Sequence, residues 1–292
     1  MPLVSIVIAN YNYGRFLEEA IQSVLSQSCQ DFEIIIIDGG STDNSVEIIK
    51  KYAVPESKPG VEVERWNSKI SYWVSEKDKG QSNAFNKGFA KAKGKFLTWL
   101  NADDVLLPGT IEKLRLATER WPSNEWFVGG CFWLDKEMRI IQCRKAEPQS
   151  EIETRAGHVG VWGPSSFFSK RLLDAVGGVD ERFYYTMDND LWHKFTYLQN
   201  QRYRVFCDYA WGLRLHEEGK MSGQNFDKDQ ADRNHPRWKQ IEQEVQWQLE
   251  HYRPKHGMTR LKRLMSVSWI PAITGRIDSR RYRGCHYMEM FK

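Results

Sequence analysis

The sequence contains no Cys-x-x-Cys pair, and its cysteines (Cys29, Cys131, Cys143, Cys207 and Cys285) are odd in number. A disulfide framework and a cysteine-rich zinc site are therefore not expected, and reduced thiols in a cytosolic compartment fit best. No apolar run approaches the roughly 18 residues that a membrane-crossing helix needs; the longest, Leu264 to Ile273, is far too short. No basic segment precedes the first apolar run at Val4–Ala9 and no small-residue cleavage site follows it, so no signal peptide is expected. A Gly-x-Gly-x-x-Gly turn is missing after that run, which removes the dinucleotide fingerprint, and a Gly-x4-Gly-Lys-Ser/Thr loop is missing throughout. Long polar tracts and internal repeats are also absent.

What is present is a foldable chain of 292 residues, 41% hydrophobic and 27% charged. The length suits one α/β domain with additions. Leu3–Ala9, Phe32–Ile37 and Lys95–Leu100 are apolar throughout, and Val61–Trp66 is a further strand candidate. Between them, helical spacing appears in Gly14–Ser26 (Phe16, Leu17, Ala20, Ile21, Val24, Leu25), Asn44–Tyr52 and Ser82–Ala92. Strands apolar on both faces and separated by helices indicate a parallel sheet covered on both sides. After Pro108 the pattern predicts a helix to about Arg120, strands at Trp126–Leu134 and Arg139–Cys143, a loop over Lys145–Gly163 and a short helix at Ser169–Val176. A helix from near Asp188 to Gln199 and a strand at Tyr203–Cys207 follow.

From about Gly223 the character changes. Pro236–Tyr252 places Trp238, Ile241, Val245, Leu249 and Tyr252 on one helical face, and a mixed basic and apolar segment follows. The chain carries +4 overall, but His251–Lys292 carries +8 and the remaining 250 residues −4. Residues 1–222 read as the catalytic domain and 223–292 as a helical, basic accessory segment. A basic, amphipathic 251–285 suits peripheral contact with an anionic membrane surface. Packing on the catalytic domain or an oligomer contact is the competing reading. The acidic body and the lack of a nucleic-acid fold argue against a nucleic-acid partner.

In an open parallel sheet, ligands bind beyond the carboxyl ends of the strands. Three predicted ends carry polar groups: Asn10-Tyr11-Asn12, Asp38-Gly39-Gly40 and Asn101-Ala102-Asp103-Asp104. Each alone reads equally well as a turn; together they favour a shared ligand. With no phosphate-binding glycine loop, a divalent cation held by carboxylates is the usual way to neutralise phosphates, because hard cations prefer oxygen. Asp103 and Asp104 are the best candidates.

Five motifs in series carry a family resemblance: VSIVIANYN, FEIIIIDGGSTDNS, SEKDKGQSNAFNKGFAKAKGKFLTWLNADD, GPSSFFSKRLLDAVGGVDERFYYTMDNDLWHKF and RLHEEGKMS. Over about residues 3–222 the chain resembles the inverting glycosyltransferases of family 2, of GT-A fold. The resemblance implies a Rossmann-like α/β fold with a mostly parallel sheet, and transfer of a sugar from a nucleoside-diphosphate donor, UDP favoured, to a glycan or lipid-linked acceptor in polysaccharide synthesis. It implies Mn²⁺ or Mg²⁺ as cofactor and a cytoplasmic location, with the inner membrane face suggested by the basic tail.

By the same resemblance, Asp38 accepts a hydrogen bond from the nucleobase, and Asn10, Asp78 and Gly80 lie beside the nucleoside. Asn101-Ala102-Asp103 occupies the family's Asp-x-Asp position; Asp103 ligates the metal and Asp104 shares that work. Asp188 matches the catalytic base that an unactivated acceptor hydroxyl requires, although as a helix cap it has a structural reading too. His216 matches a position that contacts metal or diphosphate in some relatives, Ser222 does so more weakly, and Trp162 is a candidate for stacking on a sugar. Asp180 and Asp190 read as structural or orienting. Asn101 and Gly39 depart from the family's usual aspartates, and Asn101 removes one negative charge from the site. The competing classes are a catalytically impaired nucleotide-sugar-binding module and a sugar-nucleotide pyrophosphorylase; the latter wants a basic loop after the first strand, which Ala9–Gly14 lacks.

Overall fold

The computed structural model describes residues 1–53, 69–149, 159–220, 236–252 and 269–291. Among these, nine strands form one mixed sheet. Its first half follows from the apolar runs. Strand β1 (Val4–Asn10), helix α1 (Gly14–Leu25), β2 (Phe32–Asp38), α2 (Ser45–Tyr52), β3 (Ile70–Ser75), α3 (Gln81–Lys91) and β4 (Phe96–Asn101) wind as successive β-α-β units. Strands β3, β2, β1 and β4 pair in parallel in that order. The buried side chains alternate between faces, as the pleat requires. Ile6, Ile8, Ile34 and Ile36 meet α1, α2 and α4 (Thr110–Arg120), and Val7, Ile35, Ile37 and Trp99 meet α3 and the helices of the second half.

The second half breaks the parallel pattern. The short β5 (Val105–Leu106), β6 (Trp126–Leu134), β7 (Ile140–Arg144), β8 (Ser166–Ser169) and β9 (Arg204–Arg214) extend the sheet. Strand β8 lies antiparallel between β4 and β6, β9 runs parallel to β6, and β5 and β7 pair antiparallel with β9 and β6. The sheet is therefore mixed, with its longer ladders parallel as expected. Helix α5 (Lys170–Ala175) follows β8, capped by the Ser169 hydroxyl. Helix α6 (Met187–His193) passes into a π-helical turn at Lys194–Leu198, where one continuous helix to Gln199 was expected.

Three further expectations differ. The third strand is β3, a half-buried edge whose polar Ser71 and Ser75 hide it from an apolar pattern; Val61–Trp66 lies outside the described residues. Strand β8 is four residues long and runs straight into a helix, too short for a periodicity. Strand β9 runs on to Arg214, because beyond Cys207 it continues along β6 and also pairs with β5.

Helix α7 (Pro236–Tyr252) packs against the segment around α6, and α8 (Trp269–Tyr282) against β7. The Ser279 hydroxyl accepts from the Cys143 amide at 2.8 Å, Tyr209 donates to Asp278 at 2.6 Å, and Tyr287 is buried beside Phe132 and Ile140. All five cysteines are free thiols. No helix among the described residues is long and apolar enough to cross a membrane.

Candidate active site

A cleft of about 870 Å³ opens along the carboxyl-end edge of the parallel half of the sheet. The register puts the predicted polar strand ends side by side, Asn10 opposite Asp38 and Ala9 opposite Asn101. Asn10, Asp78, Gly80, Asn101, Asp103 and Asp104 line the cleft with Asp188. His216 joins them through Asp103. The structure thus brings together every predicted site residue except one.

That exception is Asp38, which is fully enclosed. Its carboxylate accepts from the hydroxyls of Ser41 (2.5 Å) and Ser75 (2.6 Å), from the Asn10 amide (2.6 Å), and from the backbone N–H groups of Ser41 and Gly40 (2.9 and 3.2 Å). Burial alone raises a carboxyl pKa, but these donors outweigh it and hold Asp38 below its ordinary value. It organises the loop and holds Asn10, which lines the cleft at the end of β1. Gly39 also has a reason: a Cβ there would sit 2.9 Å from a carboxylate oxygen of Asp78 and 3.3 Å from the Tyr11 ring. A side chain there would require the Asp78 carboxylate to move aside.

At the end of β4 the two aspartates divide. Asp103 Oδ2 lies 3.0 Å from His216 Nε2. His216 is held by Phe16, 4.5 Å away between ring centroids, and by the edge of Tyr13. Asp104 is 1% exposed, and its two oxygens accept from the Arg214 N–H (3.0 Å) and the Asn101 amide (2.7 Å). Burial first, and the neighbouring Asp103 second, push its carboxyl well above the usual range. Asp104, expected to share metal ligation, lines the cleft while each of its oxygens accepts one hydrogen bond from the protein.

Asn101 explains itself here. Its Nδ2 feeds Asp104 while its Oδ1 accepts from Gln81 at 2.7 Å, and Gln81 in turn accepts from the Lys220 ammonium at 2.9 Å. A carboxylate at position 101 has no hydrogen to give to Asp104. This chain of contacts joins the floor of the cleft to its far wall.

The far wall carries Asp188 at the start of α6. Helix α6 is fixed by Trp192, one turn on, whose buried ring stacks between Trp99 of β4 and Trp126 of β6 at 5.5 Å from each. Asp188 keeps an opening to the cleft, but the walls enclose it, and burial raises its carboxyl pKa. The Asn189 N–H (2.8 Å) opposes that rise, and Lys220 acts in the same sense. Burial lowers the Lys220 ammonium to about 8, and it lies over the rings of Tyr184 and Tyr185 at 4.1 and 5.7 Å. Asp190 is paired with Lys194 (2.8 Å) and Tyr252 (2.9 Å), a structural arrangement. Trp162, 40% exposed, forms part of the rim beside Asp188. Ser222 lies outside the described residues.

Gln81, Lys220, Tyr184 and Tyr185 were not singled out by sequence. Lys220 does belong to the same Arg-Leu-His-Glu-Glu-Gly-Lys run as His216, so a signal existed.

Residues 5–125 match the profile of Glycosyl transferase family 2. Among curated relatives, an uncharacterized glycosyltransferase of Nostoc sp. (strain PCC 7120) is 40% identical over 114 residues, 38% of this chain and 31% of the relative. One from Rickettsia prowazekii is 30% identical over 201 residues, 66% of this chain and 58% of the relative. The chain thus spans less than two thirds of the length of either. Among solved structures, S. aureus TarS 1–349 in complex with UDP-GlcNAc aligns with TM-score 0.55 at 18% identity, covering 76% of this chain and 61% of that one. The mannosyltransferase PcManGT of Pyrobaculum calidifontis, in complex with GDP-Man and Mn²⁺, aligns with TM-score 0.52 at 14% identity, covering 95% and 87%. At those identities the likeness concerns the fold, a mixed sheet with flanking helices of GT-A type. Residues 5–125, which carry the strand ends that line the cleft, are thus similar to glycosyl transferase family 2.

Proposed function

We propose that the cleft takes a nucleoside-diphosphate sugar, a UDP-sugar in preference, and that the protein transfers the sugar with inversion to a hydroxyl of a glycan or lipid-linked acceptor in polysaccharide synthesis. The observation that carries this reading is the convergence of Asn10, Asp78, Asn101, Asp103, His216 and Asp188 on one cleft from separate stretches of chain. The bound UDP-GlcNAc and GDP-Man of the two structural neighbours support a nucleotide-sugar donor.

The nucleoside would lie against Asn10, Tyr11, Asn12 and Asp78, which line one end of the cleft. Asp103 and His216 would hold Mn²⁺ or Mg²⁺. A carboxylate and an imidazole that already face each other suit such a cation, and no third His, Cys, Asp or Glu completes a cluster among the described residues. Diphosphate and water would fill the remaining positions. The cation would neutralise charge on the leaving diphosphate.

Asp188 acts as general base. It takes the proton of the acceptor hydroxyl as that oxygen bonds to the anomeric carbon, while the carbon–phosphate-oxygen bond breaks on the opposite face and the electron pair leaves with the nucleoside diphosphate. Burial helps, since a base with a raised pKa holds a proton better. Lys220 offsets the charge of Asp188 from the same wall.

Peripheral contact with the cytoplasmic membrane face is part of the proposal. Of segment 251–285, the described end exposes Arg276, Ile277, Arg280 and Arg281. Cosedimentation with vesicles of anionic phospholipid, lost when 251–292 is removed, tests it; unchanged binding would reject the contact.

The deciding assay is nucleotide release from a panel of UDP-, GDP- and dTDP-sugars, with Mn²⁺ and with EDTA. Release from one donor, abolished by EDTA, is expected. UDP binding measured by calorimetry without any release, even with glycan and lipid-linked acceptors supplied, would instead favour a binding module.

A further inference from the structure

Helix α7, expected to be an accessory element with an apolar face, turns a polar stripe inward. The buried residues are Glu244 and Gln248, while Trp238, Ile241, Val245, Leu249 and Tyr252 are only partly covered. Glu244, Gln248 and Tyr252 are spaced four apart, so they lie in one row along the helix. Each member of the row grips the chain around Asp188.

Glu244 Oε2 accepts from the backbone N–H groups of Tyr185 (3.0 Å) and Thr186 (2.9 Å) and from the Thr186 hydroxyl (2.8 Å). Its Oε1 accepts from the Tyr184 N–H (3.0 Å) and from Gln240, one turn earlier on the same helix (2.9 Å). Gln248 donates to the Thr186 carbonyl and hydroxyl (3.0 and 2.9 Å) and accepts from Asn189 (2.6 Å). Tyr252 donates to Asp190 (2.9 Å). The row therefore holds residues 184–186, 189 and 190, on both sides of Asp188. Thr186 is the residue before α6, and its side chain makes no cap within its own helix. The three amides ahead of α6 are satisfied from α7. Phe183 and Trp247 pack at 5.2 Å beside the row, with the Arg182 guanidinium over Trp247.

A buried carboxylate meeting three consecutive N–H groups is a strong, directional clamp, since charge-assisted hydrogen bonds are about twice as strong as neutral ones. It also fixes Tyr184 and Tyr185, which line the cleft on the side of Asp188. We infer that α7 is part of the catalytic apparatus, with Glu244 as a positioning residue that sets Asp188 and the Tyr184–Tyr185 wall in working geometry. The inference rests on the role proposed above for Asp188.

The test uses the full chain and UDP-GlcNAc, or whichever panel donor is cleaved fastest. Wild type, E244Q, T186V, D188N and the double variant E244Q/D188N are compared by nucleotide release, by UDP titration and by melting temperature. The amide in E244Q keeps the shape and loses the charge; T186V keeps the shape and removes the hydroxyl's contacts with Glu244 and Gln248. A displaced base costs up to roughly a hundredfold, so E244Q is expected to lower kcat about tenfold to a hundredfold, with donor KM and UDP affinity unchanged. T186V should show a smaller loss of the same kind. In the D188N background E244Q should add nothing, because the group it positions is gone. Should E244Q unfold, T186V alone and in the D188N background gives the same reading. Turnover of both single variants at the wild-type rate, a rise in KM at constant kcat, or a full additive loss on top of D188N would overturn the inference alone. A wild-type protein that binds no UDP and releases no nucleotide would remove the reading of the site, and this inference with it.

Discussion

Asn101 shows how much one amide decides. Its donor half satisfies a buried carboxylate and its acceptor half continues the hydrogen-bond chain to Lys220. Replacing it by aspartate, the family's usual residue, would set two carboxylates against each other in a buried place. We expect N101D to lose about 1–3 kcal/mol at pH 7.5 by urea denaturation, the cost of a buried polar group deprived of its partner. The loss should shrink toward pH 5 as one of the pair takes up a proton. Asp188 gives the opposite case. Burial raises its folded-state pKa, so between the ordinary value of about 3.9 and the raised one the folded state binds more proton than the unfolded state. Stability from this residue therefore falls as pH rises through that window. D188N should raise the melting temperature at pH 8, with the gain fading at pH 5, while lowering kcat by about 10²–10⁴. In the wild type, kcat should decline on the acid side at a pH above the ordinary aspartate range. A flat pH profile, or a D188N protein with full turnover, would rule out the base assignment.

At the scale of the element, the site depends on how helices and strands are seated. Helix α6 is short, and its purchase on the sheet is Trp192 between Trp99 and Trp126. W192A should cost about 3–5 kcal/mol, the usual range for removing a buried large aromatic, and should carry Asp188 out of place with it. Strand β6 pairs first with β8 and then with β7 along one edge, changing partner at Gly129–Gly130. A Cβ at Gly130 would lie 2.0 Å from the Asp208 carbonyl and 2.3 Å from that of Arg144. Both contacts are backbone and cannot turn aside, so G130A should destabilise by about 1–3 kcal/mol or more, read as a lower urea midpoint.

For the whole molecule, the described parts of the C-terminal segment, 236–252 and 269–291, pack against the sheet and its helices. Helix α7 supplies the clamp on residues 184–190, and the end of the chain closes over β7: the Gly284 N–H donates to the Ile140 carbonyl and the Ile140 N–H to that of Cys285, both at 2.8 Å. Cutting the chain after residue 222 would strip donors and acceptors from both places. The truncated protein should melt well below the full chain and lose nucleotide release even with Mn²⁺. A fragment as stable and active as the whole would show that 223–292 is a true accessory.

The parallel half of the sheet and its polar strand ends were legible in sequence because that information is local. Apolar runs such as Ile34–Ile37 reveal strands, and Asn10 and Asn101 follow them directly. The same local grammar singled out Asp103, whereas Asp188 and His216 were implied by the family resemblance. Side-chain commitment was not legible, because it depends on neighbours far along the chain. Asp38 and Asp104 read as ligand-facing carboxylates, and only the fold gave their oxygens to Ser41, Ser75, Asn101 and Arg214. Glu244 looked like any acid on a helix, since nothing within a turn of it says that three amides some sixty residues earlier will need an anion. Sequence determined the strands, their shared edge and the residue types that chemistry requires; tertiary structure decided which of those residues face the cleft, because hydrogen-bond saturation is settled only by what packs against each group.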